Sequence, residues 1–188
     1  LVLAAVMQNG QALEHAAPEL QADREVVLTA VKRQGVALKH AAEEMKSDAE
    51  IVLAAVTQNG DALAHASKQM KADKEIVLVA VAQRSIALKH AAKEIRAEMD
   101  VVRAAVEHFA DALSYASKAL QGNRELVLLA VRRHGLGLRH AAKELKADPV
   151  VAWAAVAQDG QALAHTAKEL QNNPSIVLAA IRQQGTAF

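Results

Sequence analysis

The chain of 188 residues contains no cysteine, and this absence excludes several kinds of site at once. A disulfide framework, a thiolate zinc site and a cysteine nucleophile all need that side chain. Aromatic residues are almost as scarce, with two Phe, one Tyr and one Trp. Because proteins that bind single-stranded nucleic acids stack bases on aromatic rings, this chain offers few platforms for such binding.

The sequence also lacks an excess of either charge and lacks long hydrophobic runs. Lys and Arg number 22 against 21 Asp and Glu, a balance that does not indicate a dedicated binder of polyanions or membrane surfaces. Polar residues interrupt every apolar stretch before the ~18 residues needed to span a bilayer. We therefore expect a soluble protein without a transmembrane segment. Its compartment stays open, because the chain begins at Leu1 and a targeting segment could precede it.

What the sequence does have is one pattern repeated every 25 residues without a gap. Written in rows of that length, it aligns apolar segments such as IVLAAV at the start of every row. A glycine follows in six rows (Gly10, Gly35, Gly60, Gly135, Gly160 and Gly185), and a histidine follows the glycine position in six rows (His15, His40, His65, His90, His140 and His165). A fixed period of this length indicates a supersecondary unit that buries its apolar face by stacking on its neighbours.

The first element of each unit is predicted to be an α-helix. A capping residue precedes it in each row: Asp23, Asp48, Asp73, Glu98, Asn123, Asp148 and Asn173. Pro149 and Pro174 fall at the first helical position, where proline fits, and the glycine is expected to end the helix in the left-handed conformation. A buried strand is the alternative, because VVLTAV is β-branched. The alanine at one interior position of every row favours the helix.

The second element, for example VALKHAAEEM, again has apolar residues at helical spacing. Pro18 is expected to break it in the first row, and a kink is expected in most other rows. Ser67 and Ser117 are suited to cap a restarted helix. The sequence thus predicts an all-α solenoid of tandem 25-residue two-helix repeats, about seven and a half units in a single array over residues 1–188. Neither end has a polar capping unit, so we expect a segment of a longer array.

Units of the form VLAAVxQNGxALxHASKELKADREIVLAAV resemble the tandem repeats of the family called domain of unknown function 4116. The resemblance covers the whole chain, from VLAAVMQNGQALEHA to IVLAAIRQQG. It implies an alanine-rich helical array and no established activity. Five residues in the fourth to seventh rows depart from the pattern: Ser85, Arg103, Ala110, Tyr115 and Trp153.

The residues that could carry chemistry have structural explanations. The recurring histidines would make a metal site only if imidazole nitrogens came within about 4 Å, whereas packed helices lie ~8–10 Å apart. We expect these rings to pack between units and bond to the backbone. The aspartates are explained as helix caps, and the glycines form no phosphate-binding cluster. We therefore predict no catalytic, cofactor-binding or metal-binding residues and no enzyme activity in this segment, although a catalytic domain could lie outside it.

The predicted function is a non-catalytic scaffold for protein or peptide partners within a larger protein or assembly. The residues that break the pattern are the candidate contacts: Arg84, Arg103, His108, Phe109, Tyr115 and Trp153. Neutral drift in a tolerant array is the alternative for them. Ser85 and Ala110 are expected to adopt the left-handed conformation or to let the first helix run on. The alternative function is a nucleic-acid-binding repeat that uses the basic stretch 126–150, with Arg132, Arg133, Arg139, Lys143 and Lys146.

Overall fold

A computed structural model describes residues 1–185, and this part of the chain contains α-helices and 3₁₀-helices but no strand. The prediction of an all-helical repeat is confirmed, and the alternative of a strand in the first element is wrong. One long α-helix occupies the start of each 25-residue row, and most of these helices begin two residues before it. They are Val2–Gln8, Arg24–Arg33, Ala49–Gln58, Lys74–Gln83, Met99–His108, Arg124–Arg133, Pro149–Gln158 and Pro174–Gly185.

Six of the seven predicted capping residues cap their helices, and for Glu98 this stays a prediction. The carboxylate of Asp48 accepts hydrogen bonds from the amides of Glu50 at 2.9 Å and Ile51 at 3.0 Å. The same arrangement recurs in other rows, at Asp23, Asp73, Asp148 and Asn173. These side chains satisfy amides that have no partner in the first turn of a helix. The capping residues therefore set where each long helix starts.

The second element is a 3₁₀-helix rather than an α-helix. Its copies are Gly10–His15, Gly35–His40, Gly60–His65, Ser85–His90, Ala110–Tyr115, Gly135–His140 and Gly160–His165. The next residue is extended, as at Ala41 with φ −72° and ψ 154°. A third, short helix follows: Pro18–Gln21, Met45–Ser47, Lys68–Lys71, Ile95–Ala97, Lys118–Gln121, Lys143–Lys146 and Lys168–Gln171. The prediction of a kink in most rows was wrong. The break that we expected only in the first row occurs in all seven rows listed above.

Side chains stabilise this broken path at both ends of the short helix. Ser67 and Ser117 cap it as predicted, each accepting a backbone amide at 3.4 Å. At the other end, Gln121 reaches back and donates to the carbonyls of Leu113 and Ala116, both at 3.2 Å. Lys71 donates to the carbonyl of Ala64 at 2.7 Å. The last residue of the short helix thus satisfies carbonyls that the 3₁₀-helix leaves free.

The aligned glycine does not end the long helix in the left-handed conformation, because no residue in the described range has a positive φ. Its role is to permit a close approach. A Cβ on Gly35 would overlap the carbonyl oxygen of Ala55 in the next long helix and lie 3.1 Å from the Asn59 amide nitrogen. The Gly35 amide also donates to Gln58 Oε1 at 2.5 Å. Glycine is needed here because the backbones of successive rows touch.

The two rows that lack this glycine also differ from expectation. The helices before Ser85 and Ala110 end at the same row position as the others, at Gln83 and His108. Neither helix runs on, and neither residue is left-handed. Ala110 is buried, and the next row has Gly137 where other rows have alanine; a Cβ on Gly137 would lie 3.4 Å from that of Ala110. A methyl group gained in one row is matched by a methyl group lost in the next.

Contacts divide the chain into two compact units, Leu1–Ala104 and the residues from Ala105 onward. Within each unit the long helices pack on one another in chain order, and the 3₁₀-helices form a second layer that packs against them. The core lies between these layers and includes the fully buried Val52, Ala55, Val56 and Leu63. Each unit is therefore a segment of a two-layer α-solenoid.

The short helices join successive rows through the backbone. The Ser67 amide donates to the Lys46 carbonyl at 2.9 Å, and the Ala92 amide donates to the Lys71 carbonyl at 2.8 Å. In the second unit, the Ala167 amide donates to the Lys146 carbonyl at 2.9 Å. One such bond per row adds a directional link to the apolar stacking. Across residues 1–185, no helix is long and apolar enough to cross a membrane.

Candidate functional site

One side chain near the start of each long helix lies on the outer face of its unit, and it is leucine in most rows. In the rows from Ile51 to Val151 it directly follows a buried pair, such as Ile51 and Val52 before Leu53, so that the ~100° turn per residue carries it away from the core. Leu3 and Leu53 are 38% and 42% exposed. We call this set the leucine stripe: Leu3, Leu28, Leu53 and Leu78 in the first unit, and Leu128, Trp153 and Leu178 in the second. It is an apolar surface that the described residues leave partly exposed.

Grooves open between neighbouring long helices along this stripe. In the first unit a groove of about 430 Å³ lies between Arg24–Arg33 and Ala49–Gln58, with Leu28, Leu53 and Ala54 among its walls. In the second unit a groove of about 600 Å³ lies between Pro149–Gln158 and Pro174–Gly185, with Trp153, Leu178 and Ala179 in the corresponding places. All seven lining positions of one groove match those of the other in the repeat. The groove is therefore a property of the repeat, produced where a small residue lies beside the exposed leucine.

Charged residues border the stripe at the first turn of the long helices. Arg24 binds Glu50 and also Asp48, with the Asp48 bond at 3.2 Å. Lys74 binds Asp100 at 2.7 Å and Glu98 at 3.4 Å. These hydrogen bonds raise the pKa of Arg24 and of Lys74 above their ordinary values.

Two carboxylates on the same border stay free. Glu25 and Glu75 occupy the same row position as Glu50 and Asp100, and both are exposed. Within residues 1–185 neither forms an ion pair. In the first unit, carboxylates without an ion pair therefore lie on the border in alternate rows, and in the row between them Asp48 and Glu50 share Arg24.

This alternation shows that the charges repeat every two rows. Arg24, Lys74 and Arg124 are two rows apart, and Arg124 binds Asp148 at 2.8 Å in the second unit. In the 3₁₀-helix layer, Asp61 binds Arg84 and Asp111 binds Arg139, two arginines at different positions of their rows. The apolar core repeats with every row, whereas the ion pairs at the first turns of the long helices repeat with every second row.

Comparison with known families identifies the repeat. Four windows of the chain, residues 1–46, 23–71, 48–96 and 98–146, match the family described as Domain of unknown function (DUF4116). The chain belongs to this family. Neither the comparison with curated proteins nor that with solved structures found a match. Each DUF4116 window covers nearly two rows, and the windows at residues 23–71 and 48–96 begin one row apart.

The histidines of the DUF4116 repeat lie in the 3₁₀-helix layer. His40 Nε2 is 3.1 Å from Gln11 Oε1 and 3.5 Å from the Glu14 carboxylate. His140 Nε2 is 3.3 Å from the Asp111 carboxylate. These partners are side chains of the preceding row rather than the backbone groups that we expected. Burial is the main cause that lowers the pKa of four histidines, His40, His65, His90 and His140. Among the described residues, no group of three or more His, Asp or Glu side chains could hold a metal ion.

The six predicted contact residues occupy different surfaces. Arg103 and Trp153 are at the leucine position of their rows, and Trp153 is 53% exposed in the second-unit groove. His108 and Phe109 lie at the end of a long helix, where Phe109 is 39% exposed. Arg84 is exposed but bound to Asp61, and Tyr115 is half-buried at the histidine position. Their role as contacts stays a prediction.

Sequence reasoning reached the stripe only through these exceptions and missed the regular leucines. The signal was present in the sequence. The leucine follows two apolar residues that already fill the inward face of the helix, so a third apolar residue in succession must turn outward. A position that is apolar in nearly every row although it faces outward is typical of a contact surface.

The basic stretch 126–150 is partly used inside the protein. Arg139 binds Asp111, and Lys146 donates to the carbonyl of Arg139 at 2.7 Å. Burial lowers the pKa of Lys146. Arg132, Arg133 and Lys143 remain exposed. Two of the five positive charges therefore have structural partners.

Proposed function

We propose that this chain is a non-catalytic scaffold, part of a larger protein or assembly, that binds protein partners through the leucine stripe. The observation that carries the proposal is the recurrence of one groove, built from the same row positions, in both units. A groove that recurs with an exposed leucine offers equivalent contacts in each unit, and solenoid proteins bind extended partners through such repeated contacts.

The exposed apolar surface provides the free energy for such binding. Complete burial of an exposed leucine is worth about 1.5–3 kcal/mol, so covering a side chain that is already more than half-buried gains roughly 1 kcal/mol. Leu3 and Leu53 are in this state, and Trp153 offers a larger ring. Several such side chains covered together give useful affinity, because their contributions add along the stripe. Tryptophan is also enriched among residues that dominate binding energy.

Nucleic acid is the alternative partner, and the observations favour it less. Phosphate binding needs free cations, whereas Arg139 and Lys146 are held by groups of the protein. The exposed leucines would gain little from contact with phosphates. Binding to RNA therefore enters as one outcome of the test below.

The test compares two variants of the full-length protein that each add one negative charge to an exposed position. Leu53→Glu places the charge on the stripe, and Gln69→Glu places it on the short helix Lys68–Lys71. Partners captured from cells are quantified by mass spectrometry, and an RNA mobility shift is measured across salt concentrations. We expect Leu53→Glu to lose the partners that the wild type and Gln69→Glu retain. Equal capture by both variants, together with RNA binding that falls steeply with salt, would contradict the proposal.

A further inference from the structure

We propose, building on the function above, that the stripe binds an extended peptide in the polyproline II conformation with an apolar residue at every third position and a basic residue at every sixth. The first unit supplies the observations, because four stripe leucines and both free carboxylates belong to it.

The spacing of the rows selects the conformation of the partner. Packed helices lie about 8–10 Å apart, so a partner that crosses them needs an anchor at that interval. In a polyproline II segment, every third residue points the same way and is about 9.3 Å further along, from a rise of 3.1 Å per residue. A β-strand repeats a face about every 6.7 Å, and an α-helix repeats one at about 10.5 Å for seven residues. Only the polyproline II repeat falls within the interval between rows.

The charges on the border select the basic residues. Glu25 and Glu75 are exposed without an ion pair in the described range, while Glu50 in the row between them is bound by Arg24. Free carboxylates therefore occur every second row, about 16–20 Å apart if rows are separated by 8–10 Å. Six residues of polyproline II cover about 18.6 Å. A basic residue at every sixth position thus meets both glutamates and places no cation opposite Arg24.

The conformation also puts these basic residues on one edge of the peptide. Polyproline II has three residues per turn, so the positions before and after each anchor form two separate edges. A given peptide turns its basic edge toward the glutamates in only one of the two directions that it could take across the stripe, so the charges also fix its direction. One anchor side chain enters the groove of about 430 Å³ beside Leu28 and Leu53, and the other anchors pack on the stripe leucines of their rows.

The experiment uses two labelled peptides and fluorescence anisotropy with the full 188-residue chain. The basic probe has the sequence LPKLPQLPKLPQ, and the acidic probe has glutamate in place of both lysines. We expect the basic probe to bind about tenfold more tightly, since each exposed ion pair is worth up to about 1 kcal/mol. The double variant Glu25→Gln with Glu75→Gln should remove this preference.

A matched control removes two charges from the other layer of the same unit. Glu19 and Glu94 are exposed on or beside the short helices, and Glu19→Gln with Glu94→Gln should leave the preference intact. Leu53→Glu should weaken binding of both probes. Circular dichroism checks that each variant keeps its helices.

The inference would be overturned if the wild type bound both probes with equal affinity, or if the control pair of substitutions removed the preference as Glu25→Gln with Glu75→Gln does. Tighter binding of a helical probe with leucine at every seventh residue would also overturn it. Failure of both polyproline probes would do so as well. If cellular partners were still lost with Leu53→Glu, the stripe would remain a protein-binding surface, and only the conformation and charge of its partner would be wrong.

Discussion

Replacing Gly35 by alanine tests the claim that rows approach one another through their backbones. The added Cβ would overlap the Ala55 carbonyl oxygen, and backbone atoms cannot move aside as a flexible side chain can. Overpacking of this kind costs about 1–3 kcal/mol. Separating the rows would also stretch the bond from the Gly35 amide to Gln58, worth about 0.5–1.5 kcal/mol.

An opposing effect acts on the unfolded chain. Alanine restricts its backbone and so favours folding by about 0.4–1 kcal/mol where the native conformation suits it. The packing and hydrogen-bond losses are larger than this gain, so we expect a net loss of about 0.5–4 kcal/mol in the free energy of unfolding, or a fall in Tm of roughly 1–16 °C for a chain of this size.

Gly122 provides the control. It lies at φ −94° and ψ −1°, which alanine adopts readily, and its nearest heavy atom to an added Cβ would be the Ala119 oxygen at 3.4 Å. We expect Gly122→Ala to be neutral or slightly stabilising. Urea unfolding followed by circular dichroism measures both variants. An unchanged Gly35→Ala protein, or equal losses in the two variants, would refute the close-approach argument.

Three further predictions concern the caps, the histidines and the buried glutamine. Asp73→Ala should cost about 1 kcal/mol, because the carboxylate caps the amides of Glu75 and Ile76, whereas Lys68→Ala should cost less than about 0.5 in the same urea assay. Since burial lowers the pKa of His65 and three other histidines, the unfolded chain binds more protons, and stability should fall as the pH drops through about 6.5; His65→Tyr should reduce this dependence, and stability that is constant from pH 7.5 to 5.5 would contradict it. Gln121→Ala should cost about 1–3 kcal/mol by leaving carbonyls unpaired, while Gln121→Lys should cost less because Lys71 makes the equivalent bond; equal losses would argue against this capping role.

The long helices could be predicted from the sequence because their signals are local. Asp48 and the apolar face of Ile51 and Val52 act within one helix, and Pro149 acts at the start of its own helix. The second element could not be predicted in detail, because α- and 3₁₀-helices share the same apolar spacing over six residues. The choice between them depends on contacts from outside the segment, such as the bonds from Gln121.

The glycine was assigned the wrong role for a related reason. A glycine after a helix usually provides a positive φ, and that general tendency takes no account of what the next row places beside it. The overlap with the Ala55 carbonyl becomes visible only when two rows are stacked. The two-row period, in contrast, was present in the sequence at Arg24, Lys74 and Arg124 but was hidden by the stronger 25-residue pattern.

The alternation of ion pairs has a consequence for how such an array can lengthen. Duplication of a two-row block places each new cation opposite an acidic residue, as Arg24 now lies opposite Glu50. Duplication of a single row would join two rows of the same kind, so that the matched charges at the new junction would be lost although the apolar core would still fit. Lengthening in steps of two rows therefore keeps cations such as Arg24 and Lys74 beside the acidic residues that they bind.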